Sequence, residues 1–265
     1  MTEKISYWNI GKVKITRIVE VERTGPMFVV PDAIPENIIK MPWLQPYFAD
    51  EKGNTIVSVH ALVIETSEKC IIVDTCLGND KERHIPAWNK LQTKFLEDLE
   101  KAGYKTSDID TVLCTHLHTD HVGWNTVLID DKWEPTFKNA DYLFGKEEWK
   151  YTEKQIEIPA YAEFINDSII PIIESGLVKF VEVDEKICNE ITLEPTIGHT
   201  PGHVSIKIES EGKKASITGD FLHHPCQMEK LDWISSADWN PEIAKETRRN
   251  KLLEYADQEI LVFGT

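Results

Sequence analysis

Three histidines and one aspartate crowd into His116-Leu117-His118-Thr119-Asp120-His121. Burying that many imidazoles beside a carboxylate is costly unless something satisfies them, and a divalent cation satisfies them all at once. On an extended segment, side chains two apart point the same way, so His116 and His118 can grip one ion together. Asp120 and His121 follow immediately, and a turn into a helix at Asp120 would re-aim that pair at a second ion a few ångströms away. Structural zinc sites close with four cysteine or histidine ligands, whereas a histidine and carboxylate set with room for water does chemistry. The stretch reads as a catalytic metal site.

Other residues of the same kind stand near glycines and strand ends. Thr196-Ile197-Gly198-His199-Thr200-Pro201-Gly202-His203 is a loop fixed by two glycines and a proline, suited to push one imidazole towards a fixed point. His199 is expected as a ligand and His203 as a structural residue or a support behind the ligands. Asp220, after Gly219, has one oxygen for each of two cations. His223 and His224 follow closely. Asp74 can accept from the second ring nitrogen of a ligating histidine, while His60, alone among apolar neighbours, reads as structural.

The elements that must position these residues are legible in outline. Ile109 to Cys114 is a buried strand feeding the histidine cluster. Upstream, 12–22 is a strand, and 55–65 and 69–74 are two strands buried on both faces. A 3.6-residue apolar period between Pro86 and Gly103 predicts a helix. Asp130-Asp131 and 139–141 read as turns, and 145–176 as two helices broken around Pro159 that cap the site. A short strand at 190–195, a hairpin of 204–209 with 214–218 around Glu211-Gly212, a helix at 241–255 and a strand at 259–263 complete the chain. Segment 24–54 holds Pro26, Pro31, Pro35, Pro42 and Pro46 among aromatics and methionines. It reads as a long loop that is a packed connection, an active-site wall or a homodimer contact.

Composition excludes several classes. The 265 residues carry a net charge of −16, which repels nucleic acid and anionic membranes. No run approaches the length of a membrane span, and Met1 to Ser6 gives no expectation of a signal peptide. Five cysteines without C-x-x-C spacing fit reduced thiols and a cytoplasmic location; Cys70, Cys114 and Cys188 read as core.

Together, His116-x-His118-x-Asp120-His121, the Gly-His-Thr-Pro-Gly-His loop around His199, and Gly219-Asp220 resemble the metallo-β-lactamase-fold hydrolases. The resemblance implies an α/β fold, a four-layer αββα sandwich formed as a single domain over 1–265, with two divalent metal ions, foremost zinc, in its cleft. It implies His116, His118 and His199 on the first metal, Asp120 and His121 on the second, and Asp220 between them. The run from Val73 to Asn79, the run from Gly219 to Pro225 and the long N-terminal loop are most similar to the branch of lactonases, arylesterases and organophosphate hydrolases. Two departures stand out. The family usually has another metal-binding histidine just after its final strand, where this sequence reads Ile260 to Thr265; the expectation is a weakly held second metal or a natural chain that continues. Quorum-signal lactonases carry a tyrosine three positions after the bridging aspartate, where this sequence has His223.

The expected reaction is hydrolysis of a small, largely apolar lactone, carboxylic ester or phosphotriester. Two metals about 3.5 to 4 Å apart lower the pKa of a bridging water from about 15.7 towards about 7. Asp120 would orient the hydroxide or shuttle its proton, and His223 would assist the leaving group. The competing readings are a thioesterase resembling glyoxalase II, a β-lactamase and, from a different class, a non-enzymatic metal-binding protein. Iron, manganese or cobalt suit the same ligands.

Overall fold

The structure is a computed structural model and describes residues 5–264. Met1 to Lys4 and Thr265, on which parts of the terminal expectations fall, lie outside the described residues. The strands, in chain order, are β1 (Ile5–Ile10), β2 (Val13–Gly25), β3 (Thr55–Glu65), β4 (Cys70–Val73), β5 (Thr111–Leu113), β6 (Thr126–Ile129), β7 (Lys132–Pro135), β8 (Asp141–Gly145), β9 (Val178–Val181), β10 (Ile191–Pro195), β11 (Val204–Ser210), β12 (Lys213–Ile217) and β13 (Ile260–Phe263). The α-helices are α1 (Pro35–Ile38), α2 (Phe95–Lys101), α3 (Lys146–Thr152), α4 (Pro159–Phe164), α5 (Ile170–Glu174), α6 (Cys226–Glu229) and α7 (Pro241–Tyr255).

Two sheets face each other: one in the order β1-β2-β3-β4-β5-β8-β9, the other β10-β11-β12-β13. Strands apolar at nearly every position are what a sheet buried on both sides requires. In β3, Leu62 and Ile64 point into the layer between the sheets, where they meet Ile206, Ile208 and Ile217, while Ala61 and Val63 point out towards Phe95, Leu99 and Phe164. Helices α2, α4 and α5 cover that outer face. On the far side, Tyr255 of α7 packs on Phe221 and Leu222. The layers are helix, sheet, sheet, helix, as the family resemblance implied.

Several local expectations change. The period between Pro86 and Gly103 yields a helix only at α2. Ahead of it Lys90 takes φ 51°, and the backbone spends its bonds on a neighbouring loop, with Asp80 N–H on Leu91 O at 3.1 Å and Lys90 N–H on Lys81 O at 2.7 Å. Strands β1, β6, β7, β8 and β9 go beyond the sequence expectations, and Asp141, expected in a turn, opens β8; each is recruited by pairing with a neighbour, β1 to β2 and β6 to β7 antiparallel and β8 to β5 and β9 in parallel. Asp130 and Asp131, both at positive φ, make the tight turn of the β6–β7 hairpin.

The cap contains an irregularity with a traceable cause. Between α4 and α5 the helix widens to a π turn at Ile165–Ile169, ahead of Pro171. Proline's ring excludes the carbonyl four residues back, here that of Asp167, and cannot donate to it. The released carbonyl accepts instead from Thr126 Oγ1 and from Lys81 Nζ at 3.2 Å. Arg83 grips the Asp167 carboxylate through both terminal nitrogens, at 2.6 and 3.0 Å. Burial pushes the Lys81 amine down to about 7, against the attraction of Asp167. The cap is thereby pinned to the body.

Segment 24–54 builds a small core of its own, Met27, Val30, Ala33, Ile38, Met41, Leu44 and Ala49 around Cys226. It still leaves Phe28 and Tyr47 largely exposed, at 73% and 70%. His224 ties it down through Phe48 O at 2.9 Å.

Candidate metal centre

The site lies where strand ends meet at one rim of the sandwich. β4 and β5 run parallel, so the residues after them emerge side by side. Asp74, just past β4 at φ 52°, accepts from Thr115 N–H at 2.8 Å, from Thr115 Oγ1 at 2.9 Å and from His121 Nδ1 at 2.9 Å. That one carboxylate fixes both ends of the histidine cluster. The chain bends there through a turn, with His121 N–H on His118 O at 3.0 Å, followed by a 3-10 turn at Gly123–Asn125. No helix starts at Asp120, which corrects the expected geometry; Asp74 and the turn re-aim His121 instead.

From the second sheet, the loop between β10 and β11 brings His199, and the end of β12 brings Asp220. Gly202 sits so close to α3 that a Cβ would lie 2.2 Å from Glu148 N. The approach lets buried Glu148 accept from Gly202 N–H at 3.1 Å and Thr200 Oγ1 at 2.6 Å, while its other oxygen accepts from Leu117 N–H at 3.1 Å. Glu148 thus ties the two ligand-bearing loops together. Gly219, at φ +52°, has no room for a side chain, since a Cβ would be 2.6 Å from His203 Nε2. Asp220 N–H donates to that same nitrogen at 2.8 Å, and His203 Nδ1 meets Thr196 Oγ1 at 2.8 Å. His203 therefore positions Asp220 from behind.

The donor atoms converge. His118 Nδ1 lies 3.0 Å from His116 Nε2 and 2.9 Å from His199 Nε2. Asp220 Oδ2 lies 3.3 Å from His199 Nε2 and 3.8 Å from His116 Nε2, and its Oδ1 lies 3.4 Å from His121 Nε2. Asp120 Oδ1 stands 3.8 Å from His121 Nε2. Nitrogens bound at about 2.0 to 2.1 Å around a tetrahedral ion sit about 3.3 Å apart, close to what these imidazoles already show. The second ring nitrogens have partners of the right kind: Asp238 for His199 at 3.1 Å, Asp74 for His121, and Thr115 Oγ1 for His116 at 3.1 Å.

Electrostatics separate the two sides of Asp220. Burial holds the pKa of His116 and His199 well below 6.5 and that of His118 at about 4, with the neighbouring histidines adding to the fall for His116. Their lone pairs are free. Burial also opposes charge on His121, yet Asp220, Asp74 and Asp120 together outweigh it and raise its pKa well above 6.5. Asp120 is raised, chiefly by burial; for Asp220 burial works the same way but His121 and His223 overcome it, and its pKa falls well below the usual range. The donor set, neutral imidazoles on one side and a negative surplus on the other, fits divalent cations.

His60 is held by Ser58 Oγ at 2.9 Å and Gly264 O at 3.0 Å, a satisfied structural arrangement. Two buried groups at the site lack hydrogen-bond partners, Thr119 Oγ1 and both ring nitrogens of His223. Sequence reasoning found Asp74 and His203 but missed Glu148, Asp238 and Thr115. Glu148 lies on a helix among charged neighbours, and nothing local marks it; Asp238 sits in a polar loop indistinguishable from a solvated one.

The family model described as the metallo-beta-lactamase superfamily matches residues 54–264, and the chain belongs to that superfamily. An N-acyl homoserine lactonase of Bacillus cereus is 26% identical over 227 residues, which are 80% of this chain and 83% of the relative. Among solved structures, the dizinc quorum-quenching lactonase AidC superposes with a TM-score of 0.77 at 22% identity, covering 98% of this chain and 89% of that one. The hydrolase AbOPH of the beta lactamase superfamily superposes at 0.78 and 22% identity, covering 100% and 90%. The Bacillus cereus relative and AidC carry the lactonase name, and AbOPH the name of a hydrolase of the same superfamily.

Proposed function

We propose that the chain hydrolyses a small uncharged lactone or ester, with an acyl lactone as the first class to test, using two divalent metal ions, zinc foremost. The observation that carries this reading is the placement of Asp220, whose Oδ2 faces His116 and His199 while its Oδ1 faces His121. When bound, two such ions supply hydroxide at neutral pH and polarise the oxygen of the bond to be cut. His116, His118 and His199 hold the first, Asp120 and His121 the second, and Asp220 serves both.

The protein's own groups do the rest. Asp120, with Oδ1 3.8 Å from His121 Nε2, orients the attacking water and takes up its proton. Tyr161 of α4 stands over His118, ring centres 6.3 Å apart, and forms a wall of the cleft for an apolar substrate arm. A net charge of −16 favours neutral over phosphate-bearing substrates. The exposed aromatics of 24–54 serve as substrate wall or as the contact with a second copy. A cytoplasmic setting accords with five free cysteines, four of them buried. Among the described residues, no helix is long and apolar enough to cross a membrane.

The test pairs metal content with initial rates on a long-chain acyl lactone, an aryl ester, paraoxon and a glutathione thioester. Turnover of the lactone or aryl ester with about two ions per chain is expected. Turnover of the thioester alone would transfer the chain to the thioesterase reading. If His116→Ala and Asp220→Ala keep wild-type metal content and rates, the proposal is wrong.

A further inference from the structure

His223 is the one imidazole at the rim of the site with neither ring nitrogen hydrogen-bonded among the described residues, although its side chain is only 6% exposed. Burying an imidazole without a hydrogen bond costs about 1 to 3 kcal/mol, and the ring's polar contact among the described residues is an ion pair with Asp220, so a further partner is expected. Its Nε2 is 3.4 Å from Asp220 Oδ2. That oxygen is the one that also faces His199 Nε2 at 3.3 Å and His116 Nε2 at 3.8 Å, so His223 belongs to the first side of the aspartate. His199, Asp220 and His223 form one cluster of donors, and His116, His118 and His199 another. The two share His199, whose Nδ1 is engaged by Asp238, so the same Nε2 serves both.

We propose that His223 is a fifth ligand of the first metal ion, completing a set of four imidazoles and one carboxylate, and not the proton donor to the leaving group. The assignment rests on the metal-hydrolase reading only for the presence of the ion. Its local origin is plain. The 3-10 turn at Gly219–Phe221 gives way to an extended Leu222, and the chain so redirected brings His223 Nε2 to 3.4 Å from Asp220 Oδ2. The segment is then clamped, with His223 N–H on Gln227 Oε1 at 2.8 Å and Gln227 Nε2 on Trp233 O at 2.9 Å. A proton donor needs contact with substrate or water; this ring is enclosed and aimed at a carboxylate oxygen shared with two other imidazoles. His223 Nδ1 lacks an acceptor of the kind that Asp238 and Thr115 give His199 and His116, which makes it a weaker and more exchangeable ligand than those two.

The test uses Co2+ at one equivalent per chain in wild type, His223→Gln and His223→Phe, with binding read by competition against a chromophoric chelator and geometry read from the visible spectrum. Both variants are expected to bind Co2+ about 10- to 100-fold more weakly and to absorb more intensely, as a five-coordinate site becomes four-coordinate. Free imidazole is expected to restore the wild-type spectrum in His223→Gly, which checks that a lost ligand and not misfolding is responsible. Unchanged competition curves and spectra in correctly folded variants would overturn the proposal, and a fall confined to kcat on substrates with poor leaving groups would return His223 to the proton-donor role. Failure of the hydrolase reading shows separately, as a wild-type protein that loads Co2+ and turns over nothing in the panel.

Discussion

The two oxygens of Asp220 look onto unequal halves of one site. On the Oδ2 side, burial keeps His116, His118 and His199 uncharged, with His118 within 3.0 Å of each of the other two, and Thr115 and Asp238 back His116 and His199. On the Oδ1 side stands one imidazole, His121, under the pull of three carboxylates. The first half is preassembled for a cation, since neutral nitrogens need no deprotonation. The second is short of neutral donors and rich in charge, so a cation binding there displaces a proton. The halves therefore differ in how binding couples to pH as well as in ligand number.

Asp220→Ala removes what the halves share and is expected to have the largest effect: metal content below that of wild type and hydrolysis lower by on the order of 10³-fold, the scale of losing a preorganised electrostatic group. Wild-type metal content in that variant, read by elemental analysis, would dissolve the comparison. Glu148→Ala comes next. It strands the amides of Leu117 and Gly202 and the hydroxyl of Thr200, and is expected to destabilise the metal-free protein by about 3 kcal/mol in urea titrations. A loss under about 0.5 kcal/mol would mean the two loops do not depend on it.

Asp238→Ala and Asp74→Ala sharpen the contrast, because Asp238 contacts a histidine of the first half, whereas the histidine that Asp74 contacts directly belongs to the second and it reaches His116 only through Thr115. The first is expected to weaken the tighter ion and the second the weaker ion, each by about 10- to 100-fold. If stepwise chelator titrations show both variants losing the same ion, the halves are not separable as described.

The smallest effect is on the pH dependence of the metal-free fold. His118, at about 4, and His203, lowered to about 3, are neutral when folded but titrate near 6.5 when unfolded. Between those values the unfolded chain binds more protons, so their contribution is whole above about pH 6.5 and is lost as the pH falls towards 4 and 3. His121 acts in the opposite sense: its pKa is raised, so its contribution is whole below about 6.5 and fades only as the pH rises through the raised value. His116, His199 and His60 side with His118, the last lowered to about 4 by burial. Urea midpoints are therefore expected to fall from pH 7 to pH 5; a rise would show that His121 governs.

The strands of near-continuous apolar content, β3, β4 and β5, were legible because burial on both faces leaves a pattern within a few residues. Helix α7 was legible for the same kind of reason: Asn240 caps it, Pro241 opens it, and the helix closes at Tyr255, where expected. The helix expected between Pro86 and Gly103 shrank to α2 because backbone groups of 80–91 found partners in one another. β1, β8 and β9 lacked a pattern of their own and exist through their neighbours. In the site, the histidines and aspartates announced themselves by type and spacing, and the structure gathers them at one rim.

What the sequence carried alone was a set of candidate ligands, marked by the short-range spacing of residue types; the layer order followed from the resemblance those motifs carry. Tertiary structure decided how the inventory divides. Only folding could set Asp220 between His199 and His121, bring Glu148 from the cap under two loops, and aim His223 at an oxygen that other rings already share. Those relations join residues far apart in the chain, and they depend on orientations of a few ångströms that no local pattern encodes.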